Sequence, residues 1–107
     1  IAGSRDIVDY DLLVTTIKES GFNITEVVSG NARGVDSLGE RWAAENGVNC
    51  TLFPADWSSG KAAGMIRNKK MAKYANALIA ITNGSRGTEN MIEQATKLGL
   101  KVFVKRI

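Results

Sequence analysis

Short β-rich apolar runs alternate along the chain with amphipathic segments, and glycine-bearing loops separate each pair. Ile1 and Ala2 lead straight into Gly3-Ser4-Arg5 and, with no initiator Met ahead of them, read as the tail of a first strand whose beginning lies upstream. Asp9 is placed to cap a helix carrying Tyr10, Leu13, Val14 and Ile17 on one face, and Gly21 to stop it. The pattern then predicts a strand over 23–28, a helix over 35–46 that buries Val35, Leu38 and Trp42, and a third strand over 49–53 holding Cys50 in the core. Pro54 opens a loop that lasts to Gly60. The next helix, over 61–74, turns Ala62, Ile66, Ala72 and either Met65 or Met71 inward. The run 77–82, Ala-Leu-Ile-Ala-Ile-Thr, is apolar throughout, as a central parallel strand covered on both faces requires. A helix over 88–98, capped by Thr88 with Met91, Ile92 and Ala95 inward, and a strand over 101–104 complete the series.

Strict alternation of strand and helix favours parallel pairing through right-handed crossovers. The expected fold is therefore α/β: a Rossmann-like doubly wound parallel sheet of about five strands with helices on both faces, one domain over 1–107. In that architecture every strand-to-helix loop emerges on one edge of the sheet, where ligands bind. Those loops hold Arg5, Arg33, Lys61 and Arg86, with Arg67 one turn into the helix after the third loop. Four of the six arginines thus share an edge with seven of the eleven glycines.

Composition narrows the chemistry. The chain has no His and one Cys, so His-based triads, Cys/His dyads, His-containing zinc sites and internal disulfides are excluded, and no metal or cofactor is expected. A net charge of +3 is too mild by itself for a duplex-DNA stripe. One unpaired cysteine, no signal peptide and no apolar run near the roughly 20 residues of a membrane span lead to the expectation of a cytoplasmic protein. Glycines that admit an oxyanion, helix N-termini that point N–H groups at it, and arginine forks that match its oxygens favour a phosphorylated small molecule. Neither a P-loop nor a Gly-x-Gly-x-x-Gly dinucleotide fingerprint is present, which argues against ATP hydrolysis and nicotinamide chemistry.

Several residues admit two readings. Asp36 either orients a ribose hydroxyl or an arginine, or compensates a helix dipole from the first turn. Asp56 and Trp57 either close over a base by hydrogen bonding and stacking, or serve as a turn acid and a packing aromatic. Lys69, Lys70 and Lys73 read as a solvated helix face, and Met65, Met71 and Tyr74 as core or subunit contact.

Ile-Ala-Gly-Ser-Arg (1–5), Val-Ser-Gly-Asn-Ala-Arg-Gly-Val-Asp (28–36), Phe-Pro-Ala-Asp-Trp (53–57), Gly-Lys-Ala-Ala-Gly-Met-Ile-Arg-Asn (60–68) and Gly-Ser-Arg-Gly-Thr-Glu-Asn-Met-Ile (84–92) occur in one order. Together they resemble the YspA-like branch of the SLOG superfamily, whose relatives include LOG phosphoribohydrolases, the DNA-processing protein DprA and nucleotide-signal sensors. The resemblance implies a Rossmann-like fold and a nucleotide or nucleotide-derived ligand, often bound by a homodimer or higher homo-oligomer.

Carried onto this chain, the resemblance implies that Gly3, Ser4 and Arg5 hold one phosphate. Gly30, Asn31, Arg33 and Gly34, beside Ser29, would take another part of the anion, with Asp36 orienting a ribose hydroxyl or an arginine, and Gly84, Ser85, Arg86, Gly87 and Thr88 would take a phosphate at the last helix. Lys61, Arg67 and Asn68, with Asp56 and Trp57, complete the set. LOG enzymes carry a glutamate three positions after the threonine of their glycine-rich loop, and here that position is Met91. A thioether transfers no proton. The expectation is therefore a sensor or sequestering module that binds without transforming. The alternatives are a nucleoside monophosphate phosphoribohydrolase using Glu89 or Asp36, and single-stranded nucleic acid binding in the manner of DprA.

Overall fold

The most apolar run of the sequence becomes the central strand. In the computed structural model, which describes residues 1–60 and 62–107, β4 (Ala77–Thr82) has parallel partners on both sides. One is β1 (Ala2–Gly3), with Ala2 opposite Ala80 and Gly3 opposite Ile81; the other is β5 (Lys101–Arg106), paired from Ala77–Lys101 to Thr82–Arg106. A second parallel ladder joins β2 (Glu26–Ser29) to β3 (Asn49–Leu52). The two ladders meet where the Ile1 nitrogen donates to the Val28 carbonyl at 3.3 Å. Across that contact the order is β3-β2-β1-β4-β5, and it reverses between β1 and β4. Because β1 contributes only two residues, β2 and the first half of β4 flank a cleft of about 350 Å³ instead of a continuous ladder.

Alternation along β4 sends its side chains to opposite faces. Leu78 and Ala80 pack with Ala2 against Met71 and Ala72 of α3 (Ala63–Tyr74) and Met91 and Ala95 of α4 (Arg86–Lys97). Ile79 and Ile81 pack on the other face against Ile7 in the loop after β1, Leu13 and Ile17 of α1 (Tyr10–Ser20), and Val35 of α2 (Val35–Glu45). Helices therefore cover both faces of a Rossmann-like parallel sheet. The Asp9 carboxylate caps α1 by accepting from the Leu12 amide at 3.1 Å, and Gly21 ends it in the left-handed region at φ 70°. Among the described residues no helix is long and apolar enough to cross a membrane.

Several expectations shift. The second strand starts at Glu26, not residue 23, and the fifth runs on to Arg106. The last helix begins at Arg86, with Ser85 at the N-cap; Thr88 lies inside the first turn, where its hydroxyl oxygen accepts from Ser85 Oγ at 3.0 Å. Gly87 concealed this start, since glycine in a first turn reads as loop. In α3, Met71 is the inward methionine, while Met65 and Ile66 are 55% and 47% exposed and Ala62 precedes the helix in solvent. The inner face of α3 is built from small Ala63 and Ala72 and the polar Asn68, a pattern that apolar periodicity does not register. The predicted start of that helix at Lys61 lies outside the described residues. Cys50 is half-buried, since β3 is an edge strand, and Lys69, Lys70 and Lys73 are exposed.

Candidate functional site

Two glycines let the loops after β1 and β2 converge. A Cβ on Gly3 would collide with the Ile81 carbonyl and the Val35 side chain, and one on Gly34 with the Ser4 carbonyl and the Arg5 backbone. Gly34 also holds φ 74°, which side-chain-bearing residues rarely adopt. The loop carrying Arg33 is thereby laid directly on the loop carrying Arg5, and the Val35 amide donates to the Ser4 carbonyl at 3.4 Å.

Ser4, fully buried at the end of β1, ties this edge to the end of β4. Its hydroxyl donates to Asn83 Oδ1 at 2.7 Å, accepts from the Asn83 amide at 3.1 Å, and lies 3.0 Å from Ser85 Oγ. The Asn83 side-chain amide donates in turn to both Asp6 carboxylate oxygens, at 3.0 and 3.1 Å. These contacts meet at the topological switch point, with the N-terminus of α4 directly behind Ser85.

From the opposite side α3 supplies Arg67 and Asn68. Arg67 is half-buried; its Nη1 donates to the Gly30 carbonyl at 2.6 Å and its Nε to Asn68 Oδ1 at 3.0 Å. Asn68, 4% exposed, donates through Nδ2 to the Gly87 carbonyl at 3.0 Å and to Asn90 Oδ1 at 3.1 Å, which braces the start of α4 against α3. Asp36, 6% exposed, accepts from the Ala32 amide at 3.1 Å. Burial pushes the Asp36 carboxyl above its ordinary range, against the pull of the Ala32 N–H and the Arg67 charge. Burial also lowers the proton affinity of the Arg67 guanidinium, and the Asp36 charge opposes that while Arg5 adds to it.

These elements enclose a cavity of about 480 Å³ lined by Gly3, Arg5, Arg33, Asp36, Arg67, Asn68, Ser85, Gly87 and Thr88, together with Asp6, Ala32, Asn83, Met71 and Met91. A second recess, of about 320 Å³, shares Arg5, Ala32, Arg33 and Arg67 with it and adds Gly30, Asn31 and Trp57. Three guanidinium groups and a helix N-terminus thus face two carboxylates, an excess of positive charge suited to an oxyanion.

Other residues singled out in the sequence stand outside this lining. Gly84 and Arg86 are exposed, Asp56 caps its own turn by accepting from the Ser58 amide at 3.1 Å, and the Ser29 hydroxyl donates to Glu40 at 2.8 Å. Glu89 pairs with Arg106 on β5 at 2.8 Å. Lys61 lies outside the described residues. Asp6 and Asn83 line the cavity without having been singled out. Their signal was position alone, since each follows a strand on the edge where the loops gather.

The sequence matches the family model described as YspA, cpYpsA-related SLOG family over residues 1–60. It is similar to the Gene 61 protein of Mycobacterium phage D29, with 37% identity over 115 residues, covering 96% of this chain and 91% of that protein. No solved structure matches. With parallel strands wound between helices and its glycine-bearing loops gathered on one edge, the chain belongs to the YspA, cpYpsA-related SLOG family.

Proposed function

We propose that this protein binds a nucleotide or a phosphorylated, nucleotide-derived ligand in the cleft at the carboxyl edge of the sheet, and holds it without transforming it, as a sensor or sequestering module. The observation that carries this reading is the convergence of Arg5, Arg33 and Arg67, from three separate loops and helices, on one cavity that also takes in the first turn of α4. Phosphate oxygens would meet the arginine forks on one side and the Ser85–Thr88 turn on the other. SLOG membership supports a nucleotide-related role in general. Calorimetric titration with nucleoside mono- and diphosphates tests the reading. Arg5→Ala and Arg33→Ala should each weaken binding about tenfold or more, the worth of one charged hydrogen bond. A double variant that binds as well as the parent would overturn it.

One observation favours a second reading, cleavage of an N-glycosidic bond. Asp36 is a buried carboxylate in the cavity lining, and its raised proton affinity suits a general acid. Glu89, held by Arg106 outside that lining, has no such placement. Chromatography for free base after incubation with nucleoside monophosphates separates the two readings. Base release that disappears in Asp36→Asn and persists in Glu89→Gln would establish the hydrolase.

A further inference from the structure

Building on the nucleotide reading, we infer that the recess lined by Trp57 and Asn31 is a base subsite, in which a nucleobase stacks on the Trp57 indole while its phosphate occupies the neighbouring arginine-lined cavity. The two cavities adjoin through Arg5, Ala32, Arg33 and Arg67, so a ligand can span them without leaving the cleft. The recess, about 320 Å³, is lined by Pro54, Ala55 and Trp57 with Gly30, Asn31, Ala32 and the three arginines, and among the described residues no acidic side chain lines it. Such a site suits a flat, uncharged heterocycle joined to an anion.

Trp57 is 58% exposed, so its indole is open to a ligand in the recess. It begins a 3₁₀ turn, Trp57–Ser59, whose cap Asp56 accepts from the Ser58 amide at 3.1 Å. Beneath the indole lies Gly64, where a Cβ would stand 3.4 Å from Cη2, so the ring rests on the start of α3. The Arg5 guanidinium stands 5.8 Å from the ring centroid, near the outer limit of a cation–π contact, which sets the arginine-lined cavity next to the indole. Asn31, held at φ 59°, is the lining side chain that can both donate to and accept from a base edge. Asp56, occupied with its own turn, takes no part.

Affinities for AMP, ribose 5-phosphate and inorganic phosphate test this by separating base from phosphate. The parent should bind AMP roughly tenfold or more tighter than ribose 5-phosphate, as expected for one stacked base. Trp57→Ala should bring AMP down to the level of ribose 5-phosphate and leave ribose 5-phosphate unchanged, while Trp57→Phe keeps part of the advantage. Quenching of tryptophan emission by AMP should vanish in Trp57→Phe, where Trp42 remains as the internal reference. If AMP and ribose 5-phosphate bind the parent equally, or Trp57→Ala and Trp57→Phe leave the AMP advantage intact, the subsite is wrong and the phosphate reading stands. If none of the three probes binds the parent, both fall together.

Discussion

The Arg67 guanidinium lies across Gly30: Nη1 donates to the Gly30 carbonyl at 2.6 Å, and a Cβ on Gly30 would collide with that same nitrogen. What would clash are side-chain ends and not backbone, the Arg67 guanidinium and the Asp36 Oδ2 at 2.8 Å, so Gly30→Ala is expected to cost about 1 kcal/mol or less in urea unfolding. Its effect falls on the cleft instead. Displacing Arg67 should weaken nucleoside monophosphate binding about tenfold, the loss of one well-placed charged donor. Unchanged affinity, measured by calorimetry, would mean that this guanidinium faces no ligand.

Gly34 makes the contrasting case. There a Cβ would meet the backbone of Ser4 and Arg5, not a movable tip, and φ is 74°. Neither side of the contact can yield without pulling the Arg33 loop away from the end of β1. Gly34→Ala should therefore destabilise the fold by about 2 kcal/mol or more in urea unfolding, against about 1 kcal/mol or less for Gly30→Ala. Similar midpoints for the two variants would contradict the packing.

Asn68 is a brace more than a contact surface, because its amide spends both functions inside the protein: Oδ1 accepts from Arg67 Nε, and Nδ2 donates to the Gly87 carbonyl and Asn90 Oδ1. Asn68→Leu is close in size but strips these partly buried partners of their bonds, which should cost about 1–3 kcal/mol. Amide hydrogen exchange should also accelerate in the first turn of α4. Exchange that speeds up evenly over the whole chain would point to general destabilisation and not to a brace.

Much of the sheet was legible in the sequence because its signals are local. The unbroken apolar run of β4, the cap at Asp9 and the stop at Gly21 each involve neighbours along the chain, and each appears where the pattern placed it. Of the arginines expected on the binding edge, Arg5, Arg33 and Arg67 line the cleft, because a strand-to-helix loop or the first turns of a helix put them there. Arg86 follows the same rule but opens α4 on an exposed position outside the lining. The rest depends on pairings no window contains. Gly30 meets Arg67 and Ser4 meets Asn83 only after folding, and nothing in the local sequence marks Asn68 as an inward residue of α3 or Glu89 as the partner of Arg106.

Asp36 should leave a pH signature. Stability changes with pH according to the difference in protons bound by the unfolded and folded chains. Burial raises the folded-state proton affinity of this carboxyl, so between the ordinary Asp range, about pH 4, and its raised value the folded chain carries more proton than the unfolded one. Stability from this group is therefore present at low pH, falls as pH rises through that window, and stays reduced above it. Glu26, Glu45 and Asp56 are held below their ordinary range by hydrogen bonds and act in the opposite sense at the acid end, so the comparison must be made against a variant. Asp36→Asn keeps an acceptor for the Ala32 amide and removes the ionisation. In urea titrations it should gain on the parent as pH is raised from 4 to 7, and at pH 7 it should bind phosphate-bearing ligands more tightly, since a negative charge has left the cleft. A variant whose stability tracks the parent at both pH values would show that Asp36 pays no burial cost.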